Sequence, residues 1–284
     1  MKKSLSIVGM VIFSLFAEAQ VQIPSASPAG SVSSRVGLTD VKIEYSRPKV
    51  KGRTIFGEAS KGALVPYGTI WRTGANSGSK ITFSDNVKVE GIDVPKGEYL
   101  IFTWPGATEW TVSLYKDVSL GGNTGGYDKA NEAANFKVKP EKLTEKVETL
   151  TFNISDIADD SRSAKIQLAW ENTSVKFGIT VDYDAVVIKS IQDNTVVNPY
   201  NYFQAAVYYL ENGKDLNQAL TWVNLAAEGM NSPFWVLHQK AKIQKALGDK
   251  AGATATAKAS LESAKNANNR DYQVMNEELI KTLK

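Results

Sequence analysis

The spacing of apolar residues along this chain changes once, and that change limits the fold more than any other feature. Up to about Val181, apolar side chains alternate with polar ones, as they do in residues 41–46. This period of two is typical of strands with one buried face. After about Asn194, apolar residues recur every three or four positions, which is the period of an amphipathic helix. The sequence therefore predicts a β domain at residues 20–185 and an α-helical domain at residues 196–284.

Two turn signals in the first region separate alternating segments and predict β-hairpins. Asp85 and Asn86 separate two short runs, and Pro105 and Gly106 separate two longer ones. No helical period appears between the strand segments, and parallel strands need a long crossover connection. We therefore expect an antiparallel β-sandwich or a jelly-roll-like barrel for this domain.

A repeat of 34 residues organises the second region. The pairs that share this offset are Asn198 and Ser232, Pro199 and Pro233, Asp215 and Asp249, and Ala219 and Ala253. The first two pairs each place a capping side chain before a proline, which is the pattern of a helix start. An offset of this length is that of tetratricopeptide repeats, which are helix–turn–helix units. We therefore predict a tetratricopeptide-like tail, closed by a final helix at residues 271–283.

The first 19 residues have the features of a cleavable signal peptide. Lys2 and Lys3 precede an apolar run at residues 5–16, and Ala17 and Ala19 supply the small side chains that a signal peptidase recognises. Because the chain has no cysteine, we expect no lipid anchor at the cleavage site. The sequence thus predicts an exported protein, periplasmic or extracellular, with no membrane-spanning segment once the leader is removed.

Composition excludes several classes of function. The 284 residues include one histidine and no cysteine, which excludes a thiol nucleophile, a disulfide framework and a metal centre built on thiolates or several imidazoles. With 33 Lys and Arg against 30 Asp and Glu, the formal net charge is +3, which is too small to indicate a nucleic acid as partner. We predict no cofactor, no metal and no nucleic-acid partner.

A basic and aromatic segment follows the first strands. Between Arg47 and Arg72 the sequence holds six basic residues and a single acidic one, Glu58. Its prolines, glycines and aromatic residues indicate a long loop of fixed shape, and such loops often carry binding groups. Arginine forks beside aromatic rings suit a carboxylate, sulfate or phosphate, and backbone amides around Gly74 would add to an anion site. The candidate ligand-binding residues are Arg47, Lys51, Arg53, Tyr67, Trp71, Arg72 and Asn76.

The arginines of this segment have a second interpretation. Arg53 and Arg72 would then form ion pairs with the protein's own carboxylates and fix the loop, as structural ion networks do elsewhere. An open cleft that holds both guanidiniums would favour the ligand, whereas carboxylates packed against them would favour the structural role.

Four other features carry less weight. Residues 74–80 lack the spacing of a phosphate-binding P-loop, and the glycine-rich residues 121–126, which lack the following lysine, are interpreted as a flexible loop. Aspartates at 156–160 and at 182–184 fit no calcium-loop pattern and are interpreted as solvated turn acids. His238 lies in a predicted repeat helix and is interpreted as a packed or surface residue.

Motifs in and after the basic segment form a set that covers much of the β domain. They are Tyr-Ser-Arg-Pro at 45–48, Lys-Gly-Arg at 51–53, Ile-Phe-Gly at 55–57, Val-Pro-Tyr-Gly at 65–68 and Trp-Arg-Thr-Gly-Ala-Asn at 71–76, with further segments at 80–83, 95–99, 110–112 and 170–172. This set resembles a secreted bacterial family catalogued as domain of unknown function 2911, over approximately residues 24–181. The resemblance implies a signal peptide, a β-rich domain and no established activity, and it supplies no catalytic residue. It adds weight to the arginines, Trp71 and Asn76, but not to the glycine-rich loop.

These observations favour a non-enzymatic, exported binding or scaffold protein. The loop would bind an anionic small molecule or a carbohydrate, and the helical tail would contact a protein partner. The alternative is a hydrolase or lyase acting on an acidic carbohydrate, which needs an acid or base within hydrogen-bond reach of the pocket that holds Arg53 and Arg72. A third hypothesis is a purely structural component of the cell envelope.

Overall fold

The structure is a computed structural model that describes residues 23–194 and 198–283. The leader predicted at residues 1–19 lies outside the described residues. The chain divides into two compact units, residues 1–182 and residues 183–284, which we call the β unit and the helical unit. That either unit folds independently stays a prediction.

The β unit contains two antiparallel sheets. Its strands are β1 (Ala29–Val36), β2 (Thr39–Ser46), β3 (Phe56–Gly57), β4 (Val65–Pro66), β5 (Ser79–Phe83), β6 (Val87–Val89), β7 (Ile92–Val94), β8 (Gly97–Trp104), β9 (Trp110–Tyr115), β10 (Glu132–Val138), β11 (Pro140–Ser155) and β12 (Ser163–Val181). A six-stranded sheet has the order β1-β2-β5-β8-β9-β10, and a four-stranded sheet has the order β11-β12-β6-β7. Only the short β3–β4 pair is parallel among the described strands. The predicted β-sandwich is confirmed, without a closed barrel in the described residues.

Strand alternation builds the core between the two sheets. In β2, Val41, Ile43 and Tyr45 are buried, whereas the residues between them are exposed or half-buried. The Tyr45 ring meets the Phe152 ring of β11 edge-on at a centroid distance of 5.0 Å, which joins the two layers. Each large apolar side chain buried in this way contributes about 1.5–3 kcal/mol to folding. Packing between the sheets, rather than any one strand pair, therefore holds the unit together.

One of the two predicted hairpins is wrong. Strands β5 and β6, on either side of Asp85 and Asn86, belong to different sheets. The Ser84 N–H donates to the Asp40 carbonyl at 3.1 Å, which keeps the end of β5 beside β2. Asn86 Oδ1 accepts from the Lys96 N–H at 2.9 Å, beyond β7. The alternating pattern is the same on both sides of these residues, so it cannot distinguish a hairpin turn from a crossing between layers.

The neighbouring turns follow ordinary hairpin geometry. The β6–β7 hairpin turns at Glu90 and Gly91, whose φ angles of 47° and 82° suit a tight turn with two left-handed residues. The predicted hairpin at Pro105 and Gly106 is confirmed, since β8 and β9 pair antiparallel on either side of it.

The described residues of the helical unit form six helices. They are α1 (Asp184–Asn194), α2 (Pro199–Glu211), α3 (Leu216–Gly229), α4 (Phe234–Ala246), α5 (Lys250–Asn266) and α6 (Arg270–Lys281). Helix α1 lies between the two predicted domains, where the periodicity indicated no element. The other five agree with two helix–turn–helix repeats and a closing helix, as the tetratricopeptide-like spacing predicts.

Helix caps confirm most of the repeat. Asn198 Oδ1 accepts from the Tyr200 N–H at the start of α2, and Asp215 and Asp249 cap α3 and α5 in the same way. Ser232 is the exception, because its hydroxyl donates to the Ala227 carbonyl at 3.3 Å and helix α4 begins without a side-chain cap. The repeat therefore holds in its spacing and in its buried alanines, but not in every cap.

Candidate functional site

The segment that carries the predicted ligand residues bridges the two sheets of the β unit. It leaves β2, pairs once with β11 through Lys49 and Thr149, and pairs once with β8 through Trp71 and Thr103 before it enters β5. Buried Val50 donates its N–H to the Glu148 carbonyl at 2.8 Å. The loop is therefore fixed by backbone hydrogen bonds at both ends, which is the fixed shape that its composition predicts.

Arg53 binds the loop itself. Its Nε donates to the Val50 carbonyl at 3.0 Å and its Nη2 donates to the Lys49 carbonyl at 2.6 Å. In the part of the chain that the structure describes, no carboxylate lies within 4.0 Å of this guanidinium. Arg53 thus has a structural contact, but with carbonyl oxygens rather than with the carboxylates of the structural interpretation.

Arg47, like Arg53, donates to a backbone carbonyl oxygen. Its Nε donates to the Leu150 carbonyl at 3.5 Å, and its side chain lies against Gly30, where a Cβ atom would come within 2.6 Å of the Arg47 Cδ. No described carboxylate pairs with it either. Arg47 therefore connects β1, β2 and β11 instead of facing a cleft.

Lys51 and Tyr67 lie elsewhere on the segment. Lys51 is exposed in a left-handed turn with a φ of 49°, and its backbone N–H donates to Glu148 Oε1 at 2.9 Å. Tyr67 is half-buried beside β4, and its N–H donates to the Gly57 carbonyl at 2.9 Å. Neither residue lines either of the two depressions described below.

Trp71 belongs to an aromatic cluster in the core. Its side chain is only 9% exposed and stacks on Trp170 at a centroid distance of 5.8 Å, while Phe56 contacts both Trp71 and Trp110 edge-on. The Trp71 indole N–H donates to the Gly74 carbonyl at 3.1 Å. The ring is not open to a ligand, so Trp71 acts as the anchor of the loop that follows it.

That following loop, residues 72–78, is held in an unusual backbone conformation. Thr73 is buried and has a φ of 57°, a left-handed angle that is rare for a β-branched residue. Its hydroxyl lies 3.1 Å from the Thr103 hydroxyl, and its carbonyl accepts from the Ser79 hydroxyl. Asn76 also has a positive φ, of 58°, and its Nδ2 donates to Ser46 Oγ at 3.2 Å. Side-chain hydrogen bonds thus hold a strained loop in place.

The strained loop leaves a run of backbone donors without acceptors. No described atom accepts a hydrogen bond from the N–H groups of residues 74–78. The Arg72 guanidinium lies at the same place, with Nη1 donating to the Asn76 carbonyl at 2.9 Å and its remaining donors unused by the described residues. Successive free N–H groups beside a guanidinium form an electropositive surface that suits an anion.

The glycine-rich loop forms the opposite wall of this surface. A Cβ atom at Gly122 would lie 2.5 Å from the Asn76 carbonyl oxygen and 2.8 Å from Arg72 Nη1, and one at Gly78 would lie 2.9 Å from the Gly121 carbonyl oxygen. Only glycine permits this approach at both positions. Because this loop fits no phosphate-binding motif, its sequence alone predicts no site there. Its run of glycines was the signal of a close backbone approach.

The two loops enclose an open polar depression of about 480 Å³. It is lined by Arg72, Asn76, Ser77, Leu120, Gly122, Asn123 and Thr124. A second depression of about 740 Å³ shares Ser77 with it and extends across the outer face of the six-stranded sheet. Of the seven predicted ligand residues, the structure brings only Arg72 and Asn76 together here.

Tyr127 holds the glycine-rich loop on the sheet. Its hydroxyl donates to Glu132 Oε1 at 2.6 Å and lies 2.7 Å from the Ser113 hydroxyl, and its ring packs against Phe102 and Tyr115. Burial, together with the Glu132 carboxylate, raises the pKa of the Tyr127 phenol above its ordinary value. The wall of the depression is therefore supported by a small buried core outside the main one.

Glu44 is the single acidic residue that lines either depression in the described structure. Hydrogen bonding to Lys42, at 2.9 Å, and the nearby Lys80 ammonium lower the pKa of the Glu44 carboxyl. Lys80 also donates to Glu98 Oε1 at 3.1 Å, which raises the pKa of the Lys80 ammonium. Glu44 is thus held ionised, which does not suit a general acid.

Two of the aspartates at 156–160 and 182–184 contact lysines of the chain. Lys214 donates to Asp184 Oδ2 at 2.7 Å, and Lys176 lies 3.4 Å from Asp156 Oδ2. Among residues 23–194 and 198–283, no group of three or more His, Cys, Asp and Glu side chains is arranged to hold a metal ion.

Comparison with known proteins identifies the β unit. A family model described as Protein of unknown function (DUF2911) matches residues 27–179, which is more than half of the chain. The chain belongs to the DUF2911 family. No curated protein and no solved structure matches it significantly. The DUF2911 match confirms the resemblance drawn from the motifs and includes both walls of the depression, whereas α1 to α6 lie outside it.

The activity of DUF2911 proteins is unknown, so the family assigns no role to the depression. No helix of the described residues is long and apolar enough to cross a membrane.

Proposed function

We propose that this DUF2911 protein is an exported, non-enzymatic binding or scaffold protein whose β unit binds an anionic or polar ligand at the Arg72 depression. The helical tail contacts a protein partner. One observation carries the proposal for the β unit: the Arg72 guanidinium lies with Asn76 and Ser77, whose N–H groups have no described acceptor, at one open depression, and none of the described residues that line it is a carboxylate.

The chemistry of the depression favours a carboxylate, sulfate or phosphate group. A guanidinium that keeps several N–H donors free can bind two oxygen atoms of such a group at once. Ser77, Asn123 and Thr124 add side chains that can donate hydrogen bonds to further oxygens. The neighbouring depression, with Ser31, Ser46 and Ser119, can take the rest of a polar molecule such as a uronic acid.

The loop is organised for binding before any ligand arrives. Thr73 and Asn76 hold left-handed backbone angles through their own hydrogen bonds, so a ligand would not have to order the loop. Strain of this kind costs about 1–3 kcal/mol per residue and is found mainly at functional sites. A preformed site binds more tightly because less entropy is lost on association.

The ionised state of Glu44 does not favour acid catalysis at the adjoining depression. A hydrolase or lyase needs a group that can donate or accept a proton near the bound substrate. The carboxyl that lines the adjoining depression has a lowered pKa and is engaged by Lys42 and Lys80, so it is poorly placed to act as a general acid.

Paired arginine variants test the ligand site. We expect sulfate, phosphate or glucuronate to raise the melting temperature of the wild-type protein. Replacing Arg72 with Met should weaken anion binding about 10- to 150-fold, because charge-assisted hydrogen bonds worth about 1.5–3 kcal/mol are lost. Arg53→Met is the matched control, since Arg53 binds only carbonyls of its own loop.

Calorimetric titration of both variants with each anion measures the difference. Equal loss of binding in R53M and R72M, or no anion effect on the wild-type protein, would refute the proposed site. Anion binding that survives in R72M would place the ligand elsewhere.

Export is supported by the predicted leader. Lys2, Lys3, the apolar run and the Ala17-Glu18-Ala19 sequence predict removal of the first 19 residues. Mass spectrometry of the mature protein should find Gln20 at the amino terminus. An intact Met1 on exported material would contradict the leader.

A further inference from the structure

A groove of about 510 Å³ lies within the helical unit and shares no lining residue with the site described above. Leu210 of α2, His238 and Lys242 of α4, and Met275 and Leu279 of α6 line it. Three helices therefore contribute apolar side chains to one groove, and α4 adds two groups that can bind a polar ligand.

A buried hydrogen-bond network fixes the protonation of His238. Asn276 Nδ2 donates to the Tyr272 carbonyl at 2.7 Å and to Ser260 Oγ at 2.8 Å. A carbonyl oxygen only accepts, so the amide nitrogen must face it, and Asn276 Oδ1 must face His238. The distance from Oδ1 to His238 Nδ1 is 2.9 Å. Nδ1 is therefore the protonated nitrogen of this imidazole.

The second nitrogen of His238 is left as an acceptor without a donor. Burial, aided by the Lys242 charge, lowers the pKa of the imidazole, so the ring is neutral near pH 7. A neutral ring protonated on Nδ1 carries a lone pair on Nε2. In the described structure no group donates to Nε2, although the side chain is only 4% exposed and lines the groove.

Lysine side chains give the groove a positive charge. Lys242 Nζ has no hydrogen-bond or ion-pair partner among the described residues, whereas Lys245 Nζ donates to Thr282 Oγ1 at 2.8 Å. Glu278 is the one acidic residue of the lining. The groove thus offers a free ammonium, an unused acceptor at its buried side and an apolar surface.

We infer that this groove binds an acidic peptide segment. A backbone N–H of the peptide donates to His238 Nε2, a carboxylate of the peptide contacts Lys242, and an apolar side chain packs against Leu210, Met275 and Leu279. A peptide is favoured over a fatty acid because an ionised aliphatic carboxylate has no donor for Nε2. This inference rests on the proposed role of the helical tail in contacting a protein, and it names the chemistry of the partner.

Because the chain has a single histidine, the imidazole signals in an NMR spectrum belong to His238. Full-length mature protein without a histidine tag, labelled with ¹⁵N, gives one imidazole spin system in the NMR spectrum. The probe is a hexapeptide of alternating leucine and glutamate. We expect its addition to shift the Nε2 signal of His238 while Nδ1 keeps its proton. Two control peptides replace glutamate with glutamine or carry N-methylated peptide bonds, and both should bind at least about five-fold more weakly.

Lysine variants locate the charge that the peptide uses. Lys242→Gln should weaken binding about ten-fold, whereas Lys240→Gln, on the same helix but outside the groove lining, should leave it unchanged. Equal effects of the two variants, or equal binding of the glutamine peptide, would overturn the inference.

The remaining outcomes separate this inference from the proposed function. Peptide binding that leaves the Nε2 signal unmoved keeps the proposed protein contact of the tail but overturns the groove as its site. No binding of the peptide, or binding of dodecanoate in its place, overturns the peptide chemistry. Anion binding at Arg72 is measured separately and stands or fails independently.

Discussion

The two units of this protein fill their cores with different side chains. The β unit buries large ones, and among those that are almost fully buried are Trp110, Trp170, Tyr115, Phe83 and Phe102. The helical unit buries mainly alanine, at positions Ala205, Ala206, Ala219, Ala226, Ala227, Ala241, Ala253, Ala257 and Ala264. The contrast follows from geometry, because packed sheets lie about 10 Å apart and large side chains must fill that space.

Helices packed through alanine approach one another more closely, so little space remains between their backbones. The difference predicts opposite sensitivities to mutation. A sheet core should be damaged most by removing atoms, and an alanine core by adding them.

We expect the largest effect on stability from removing a large buried side chain of the β unit. Trp170→Ala should lower the free energy of unfolding by about 3–5 kcal/mol, because the ring contacts both Trp71 and Phe56 and leaves a cavity. Urea unfolding followed by tryptophan fluorescence measures the change. Leu64→Ala, at an exposed position, is the control and should stay within about 0.5 kcal/mol of the wild type. A similar small change for Trp170→Ala would contradict the comparison.

An addition in the helical unit should have the next largest effect. Ala253→Leu places extra atoms between α5 and its neighbours and should cost about 1–3 kcal/mol, since Ala253 is fully buried. Ala255→Leu, on the exposed side of the same helix, should be nearly neutral. Urea unfolding monitored by helix-sensitive circular dichroism measures the stability of both variants. Equal stabilities would show that the alanine core can accommodate the larger side chain.

Removing the helix caps should have a smaller effect on stability, and it tests the assignment of the repeat. Asp215→Ala and Asp249→Ala should each cost about 1 kcal/mol, because each removes an acceptor for backbone N–H groups at a helix start. Ser232 is the repeat equivalent of the Asn198 cap but caps nothing, so we expect Ser232→Ala to change the stability by only a few tenths of a kcal/mol. A loss at Ser232 as large as at the aspartates would contradict the cap assignment.

The smallest effect should come from separating the units. If the β core is complete by itself, a fragment ending at Val181 should unfold cooperatively within about 0.5 kcal/mol of the β unit in the full chain. Fluorescence-monitored urea titration of both proteins tests this. An insoluble or unfolded fragment would show that the helical unit completes the β core.

Much of the fold could be predicted because periodicity is a local property. The alternation around Ile43 and the alanine repeat at Ala219 and Ala253 are visible within a few residues or at a fixed offset. The crossing at Asp85 could not be predicted, because strand partners are chosen by packing between distant segments. Helix α1 was missed because three of its four large apolar residues, Val186, Val187 and Ile188, are consecutive and β-branched, and such a run does not display a helical period.

The candidate site was predicted only in part. The sequence groups Arg72 and Asn76, which line one depression, but it groups them also with Arg53, whose guanidinium binds carbonyls of its own loop. Nothing in a local pattern tells whether a guanidinium meets a carbonyl or an open surface. The contribution of Gly122 depends on a backbone approach between segments nearly fifty residues apart, which only the folded chain reveals.

The length of the β11–β12 hairpin has a consequence for how the β unit folds. Its strands of 16 and 19 residues are joined by a short connection, so their pairing closes only a small loop of chain. Strand β12 also pairs with β6, where Ile179 is opposite Val89, and that contact closes a far longer loop. We expect the hairpin to form first and to serve as the template on which β6 and β7 are added. Pulsed hydrogen exchange would then protect the amides near Leu168 before those near Val89, and the reverse order would assign the first step to the β6–β7 hairpin of the same sheet.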